Sequence, residues 1–217
     1  DQVRRARRAY FANISYLDDK IGEVLQTLKD TRQEATILFV SDHGDMLGDR
    51  GLWFKMSFFE GSARVPLMIC APHMPAGLLE TPVSNIDVAP TLCDLAGVSM
   101  EEVMPWTEGM SLVPMANGVE RTEPVAMEYA AEGSYSPVVC LRYGKWKYTS
   151  CTRDTDQLFD ISTDPSELNC LANVAKHQGT LEQLRAKSEA RWDLVAFDAQ
   201  VRESQARRWV VYEALRN

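Results

Sequence analysis

The sequence predicts an α/β protein, with part of a doubly wound sheet followed by a small antiparallel sheet and C-terminal helices. Three observations carry this reading. Helix-period and strand-like apolar segments alternate over roughly the first 98 residues, as they do in a doubly wound sheet. The run TILFV, residues 36–40, is apolar, β-branched and unbroken, and it stops abruptly at SDHGD. That is the signature of a strand buried on both faces of a parallel sheet. Further along, short strands follow one another closely, the pattern of a small antiparallel sheet.

Taken in order, the first element spans residues 3 to about 29, where Tyr10, Ile14, Leu17, Ile21, Val24, Leu25 and Leu28 recur at three- and four-residue steps. This is an amphipathic helix facing a core. Residues 65–70 form a second buried strand, stopped by Ala71-Pro72 and a turn at 75–77. Residues 87–97 predict a short helix with Gly97 as its C-cap. A connector rich in Pro, Gly and Met covers 104–118, and strands follow at 124–128, 138–142, 146–149 and 157–160. Tyr143-Gly144-Lys145 signals the hairpin turn between two of them. Helices are expected at 179–192 and 201–215. The division is an α/β domain over 1–118 and a second subdomain over 119–217. In the last helix Arg202, Arg207, Arg208 and Arg216 accompany Trp209, Val210, Tyr212 and Leu215. Two readings stand: a docking helix with a solvated face, or a subunit contact.

With 217 residues the chain can bury a sizeable core. Its 45% hydrophobic and 25% charged content excludes disorder, collagen and coiled coil as global descriptions. A net charge of −8 argues against a nucleic-acid partner, since phosphate contacts need a basic footprint. The longest apolar runs are too short to span a bilayer, so no membrane partner is expected. The opening DQVRRARRAYF has neither an initiator Met nor an apolar leader core and reads as the interior of a longer protein. Five cysteines without CxxC spacing fit free thiols in a reducing compartment, which points to the cytoplasm. Cys70, Cys93 and Cys140 read as small buried hydrophobes.

The residues with the most chemistry are Ser41-Asp42-His43-Gly44-Asp45, directly after the buried strand, where open α/β sheets collect ligands. Asp42 and Asp45 offer hard oxygens and His43 an imidazole nitrogen, the composition of half a metal site. The competing reading is a solvated turn in which Asp42 caps the backbone. In GDRGLWFKMSFFEGSARVP, Lys55 stands isolated among aromatics as an oxyanion-binding group. Arg64 is either a second such group or the helical ion-pair partner of Glu60. His73 and His177 read as surface residues. Neither GxSxG nor a Gly-rich phosphate loop occurs. The residues thus describe a metal site beside an anion site, without an attacking group.

The stretch FVSDHGDMLGDRGLWFKMSFFEGSARVPLMICAP resembles the sulfatases of the alkaline phosphatase superfamily, in particular their choline sulfatase branch. RRAYFANISYLDDKIGEVL, SNIDVAPTLCDLAGV and YGKWKYTSCTRDTDQLFDISTDPSELNCLA are similar to that family too, as is the closing RRWVVYEALRN. The resemblance implies an alkaline-phosphatase-like sheet and hydrolysis of a small-molecule sulfate ester, choline-O-sulfate to choline plus sulfate. The alternative it leaves is a phosphonate or phosphate ester. It implies a divalent metal ion, Ca or Mn, held in part by Asp42 and His43, with Lys55 on the sulfate oxygens. Glu132, or else Glu128, with Tyr129 or Tyr135, would face the trimethylammonium group. A homo-oligomer is expected.

One family feature is missing. The formylglycine nucleophile is made in a CxPxR-type motif of the N-terminal part, and Cys70-Ala71-Pro72-His73-Met74 has Met where Arg belongs. The segment also follows the metal loop instead of preceding it. The chain therefore reads as a C-terminal portion without its nucleophile, inactive alone. The rival from another class is a truncated, non-catalytic binding or assembly module.

Overall fold

The computed structural model describes residues 1–72, 74–131 and 133–216, so His73, Glu132 and Asn217 lie outside the described residues. The chain divides into two compact units: residues 1–55, 61–79 and 84–119 form one, and 56–60, 80–83 and 120–217 the other.

In the first unit the three- and four-residue apolar spacing folds as α1, Gln2–Asp30, with Thr31 as its C-cap. None of its residues is buried, and Phe11, Tyr16 and Val24 are 58%, 65% and 61% exposed. The helix is where the spacing puts it, but the described residues do not cover its apolar stripe.

The apolar runs become β1, Ile37–Val40, and β2, Leu67–Cys70. They pair antiparallel, with Ile37 opposite Cys70 and Val40 opposite Leu67. This corrects the expectation of doubly buried parallel strands. β1 is half-buried throughout, while β2 alternates between half-buried and exposed, Met68 pointing out. A parallel return needs a crossover, usually helical. Between these strands lie only a 3-10 turn, Asp49–Gly51, and the single-turn α2, Glu60–Ala63.

After β2 come a 3-10 turn, Asn85–Asp87, then α3, Val88–Leu95, and α4, Met100–Val103. The chain passes Gly97 with φ +68, the left-handed conformation that ends helices on glycine. The connector holds a helix its Pro and Gly content had hidden, α5, Leu112–Ala116, whose cap Ser111 accepts a hydrogen bond from the Val113 amide. Asp87, fully buried, pins this region by accepting from the Ser84 and Met110 amides at 2.8 and 2.9 Å. Thr91 adds a second tie, its hydroxyl donating to the Asp87 carbonyl and accepting from the Leu112 amide.

The second unit is a meander of β3, Val125–Tyr129, β4, Val138–Tyr143, β5, Trp146–Cys151, and β6, Asp154–Asp160, all antiparallel in sequence order. Tyr143 faces Trp146 across the tight turn at Gly144, whose φ is +52. Cross-strand partners Leu141, Tyr148 and Leu158 share a face of the pleat. Onto them pack Leu181 and Leu184 of α6, Gln178–Arg191, three residues apart and so on one helical face. This is the core of the unit. The last helix, α7, Leu194–Arg216, has no buried residue. Among the described residues, no helix is long and apolar enough to cross a membrane.

Candidate active site

The loop after β1 is shaped by its own polar groups. Asp42 accepts the His43 amide at 2.9 Å, and the Ser41 hydroxyl donates to the His43 carbonyl at 2.9 Å. From outside the loop, the Asn85 side-chain amide donates to the Ser41 and Asp42 carbonyls at 3.0 and 3.3 Å. The amide of Gly44 donates to the Ser62 carbonyl at 2.8 Å. Only glycine fits there, because a Cβ on Gly44 would stand 2.2 Å from the Gly61 carbonyl oxygen.

His43 lies between two partners that select its tautomer. Its Nδ1 is 2.9 Å from the Gly44 carbonyl oxygen. A carbonyl only accepts, so Nδ1 carries the hydrogen and Nε2 presents its lone pair. The Lys55 ammonium donates to that Nε2 at 2.9 Å, although the two residues are twelve apart in sequence. The Asp42 Oδ2 stands 3.3 Å from the same Nε2. The His43 amide holds the Asp42 carboxyl below its usual 3.8, with further help from the charge of Lys55. Asp42 is therefore ionised at neutral pH, and its side chain is 83% exposed.

One exposed carboxylate oxygen and one imidazole lone pair, 3.3 Å apart, match two adjacent ligands of a single divalent ion. A backbone carbonyl on the far ring nitrogen is also how ligating imidazoles are ordinarily held. Asp42 and His43 thus fit part of a metal shell. Among the described residues, no group of three or more His, Cys, Asp or Glu converges on one point. Asp45 turns its Oδ1 to the Leu47 and Phe54 amides, at 2.8 and 3.2 Å.

The other predicted residues are more dispersed. Glu60 does not wait for Arg64; it accepts from the Lys147 ammonium at 2.6 Å. Glu128 accepts from the Trp192 indole at 2.5 Å, while Glu132 lies outside the described residues. Tyr135 is 91% exposed. Tyr129 lines a cleft of about 230 Å³ in the second unit, together with Phe58, Phe59, Thr149 and Phe159.

Sequence reasoning missed Lys147. It is 2% exposed, and its ammonium donates to the Phe58 carbonyl, Glu60 and Glu167 at 2.6, 2.6 and 2.9 Å. Glu167, also 2% exposed, turns its other oxygen to the Glu60 amide at 2.7 Å. The signal was the strand WKYTSC itself, where period-two alternation sets Lys147 on the face opposite Tyr148.

The Sulfatase family model matches residues 1–98. The choline-sulfatase of Rhizobium meliloti (strain 1021) is 66% identical over 222 aligned residues, covering all of this chain and 43% of that protein. The arylsulfatase K of Homo sapiens is 30% identical over 79% of this chain and 34% of its own length. Among solved structures, a protein in complex with its substrate D-glucosamine-2-N,6-O-disulfate superposes with a TM-score of 0.70. It is 26% identical, with 83% of this chain and 40% of that chain aligned. The phosphonate monoester hydrolase of Agrobacterium radiobacter gives a TM-score of 0.65 at 27% identity, over 87% of this chain and 40% of its own. The chain spans less than half the length of the curated relatives it matches. With its SDHGD loop and its alkaline-phosphatase-like α/β fold, the chain belongs to the sulfatase family.

Proposed function

We propose that the chain is the metal- and anion-binding portion of a sulfuric ester hydrolase whose substrate is choline-O-sulfate, cleaved to choline and sulfate. The observation that carries this reading is the Lys55 ammonium 2.9 Å from His43 Nε2, beside an ionised, exposed Asp42. The 66% identity to a choline-sulfatase supports the choice of ester.

Asp42 and His43 would hold the divalent ion, Ca or Mn, His43 Nε2 exchanging its Lys55 hydrogen bond for the ion, which would supply a Lewis acid for a sulfate oxygen. The Gly44 carbonyl keeps the His43 hydrogen on Nδ1, so that Nε2 faces the site. Lys55 is exposed and commits one of its three N–H donors to His43. The others can meet the anionic oxygens of the ester and stabilise charge as the sulfuryl group transfers. The attacking formylglycine implied by the family needs a CxPxR-type motif, which these 217 residues do not contain. For the trimethylammonium end, the family resemblance offers Tyr129 or Tyr135 with Glu128 or Glu132. Five free cysteines support a reducing, cytoplasmic setting. The exposed Trp209 and Tyr212 of α7 support a homo-oligomer.

A second reading, a phosphonate or phosphate ester hydrolase, is favoured by the structural match to the Agrobacterium radiobacter enzyme. Two measurements separate these possibilities. Elemental analysis of the wild type and of Asp42→Ala/His43→Ala should find Ca or Mn that the double variant loses. Assay of the full-length protein carrying this segment should give choline-O-sulfate the higher kcat/KM. Faster turnover of a phosphonate monoester would favour the second reading, and equal metal content in both proteins would remove the metal assignment.

A further inference from the structure

We infer that Ser62 is a positioning residue that sets the spacing of the His43–Lys55 pair, an inference resting on the reading of Lys55 as the anion-binding group. Ser62 is 3% exposed and bonds in two directions. Its hydroxyl donates to the Lys55 carbonyl at 2.7 Å. Its own carbonyl accepts the Gly44 amide at 2.8 Å, and Gly44 is the residue whose carbonyl holds His43 Nδ1. The loop carrying the imidazole and the segment carrying the ammonium are thus both registered on one buried residue of α2. Contact there is direct, since a Cβ on Gly44 would come 2.2 Å from the Gly61 oxygen. Among the described residues, no other hydrogen bond ties the Lys55 backbone to α2. A 2.9 Å bond between side chains twelve residues apart needs both backbones held, because each long or rotatable side chain otherwise samples many rotamers.

The two ties are separable. Ser62→Ala removes the hydroxyl and keeps the main-chain bond to Gly44, whereas Ser62→Thr keeps the hydroxyl. Two readouts on the 217-residue chain test the inference. One is the ¹⁵N NMR signal of His43 Nε2, which reports whether that nitrogen accepts a hydrogen bond. The other is inorganic sulfate affinity by calorimetry. Ser62→Ala should move the Nε2 signal in the same direction as Lys55→Met and weaken sulfate about fivefold, the worth of one hydrogen bond. Ser62→Thr should restore both, and Ser62→Ala in a Lys55→Met background should add nothing. Gly44→Ala, approaching the pair from the other side, should give the same Nε2 signature and serves if Ser62→Ala does not fold.

An unchanged Nε2 signal in both Ser62→Ala and Gly44→Ala overturns the inference. So does a Ser62→Thr variant as defective as Ser62→Ala, or losses that add to those of Lys55→Met. If Lys55→Met leaves sulfate affinity unchanged, the reading of Lys55 is what fails. If Lys55→Met weakens sulfate while Ser62→Ala is silent, only the positioning role fails.

Discussion

Lys55 and Lys147 carry the same ammonium in opposite surroundings. Lys147 is 2% exposed, and its three donors go to the Phe58 carbonyl, Glu60 and Glu167. Every N–H is spent inside the fold, two of them on carboxylates, which is how a buried ammonium is tolerated at all. Lys55 is exposed and, among the described residues, gives one hydrogen bond, to His43. A charge with unspent donors can serve a ligand; a charge with none left can only serve the structure.

The strongest way to break this contrast is Lys147→Met. It strands Glu60 and Glu167 without their cation, and it should cost about 3–5 kcal/mol of unfolding free energy in urea titrations. A loss under about 1 kcal/mol would show that Lys147 is not the buried hub described. Glu167→Gln keeps the shape and one acceptor but removes a charge. It should cost about 1–3 kcal/mol by the same measurement, with Lys147 still holding Glu60.

Lys55→Met should do the reverse of Lys147→Met. Stability should stay within about 0.5 kcal/mol of wild type, as for an ordinary surface change, while calorimetric sulfate affinity falls about tenfold, or ~1.4 kcal/mol. A stable protein with unaltered sulfate binding would dissolve the distinction between the two lysines.

Lys145 sharpens the comparison as an intermediate case, half exposed and bonded at 2.6 Å to Asp160, which is 9% exposed. Burial alone would raise the Asp160 carboxyl, but Lys145 and Ser162 outweigh it and hold the group below 3.8. A depressed carboxyl stabilises the fold above its unfolded value, and that contribution is lost as pH falls below about 3.8 through the lower folded value. Lys145→Met should therefore weaken the protein by less than about 1 kcal/mol near pH 7, given the solvent screening of Lys145. The deficit should shrink on acidification, as followed by unfolding at pH 7 and pH 3. A deficit that grows at low pH would contradict the pairing.

Much of the fold was legible because it is local. The apolar spacing of α1, the Tyr143–Lys145 turn and the glycine closing α3 each depend on residues a few positions apart. The strand runs were legible as strands, but the antiparallel pairing of β1 and β2 was not. An unbroken apolar run carries no mark of the direction in which its neighbour runs. In the site, SDHGD announced its donors by type. The sequence could not say that Asp45 would turn one oxygen to two backbone amides while Asp42 stayed open to solvent. Nor could it pair Lys55 with His43, or Lys147 with two distant carboxylates.

By itself, then, the sequence determined the family and most element types, and it singled out Asp42, His43 and Lys55 as candidate donors, because motif chemistry and short-range periodicity are written in neighbouring residues. Only the tertiary structure decided which charges are spent and which are free. That depends on which backbone groups and side chains from elsewhere in the chain arrive within 3 Å, as Ser62 does at Lys55 and Gly44, and as Glu60 and Glu167 do at Lys147.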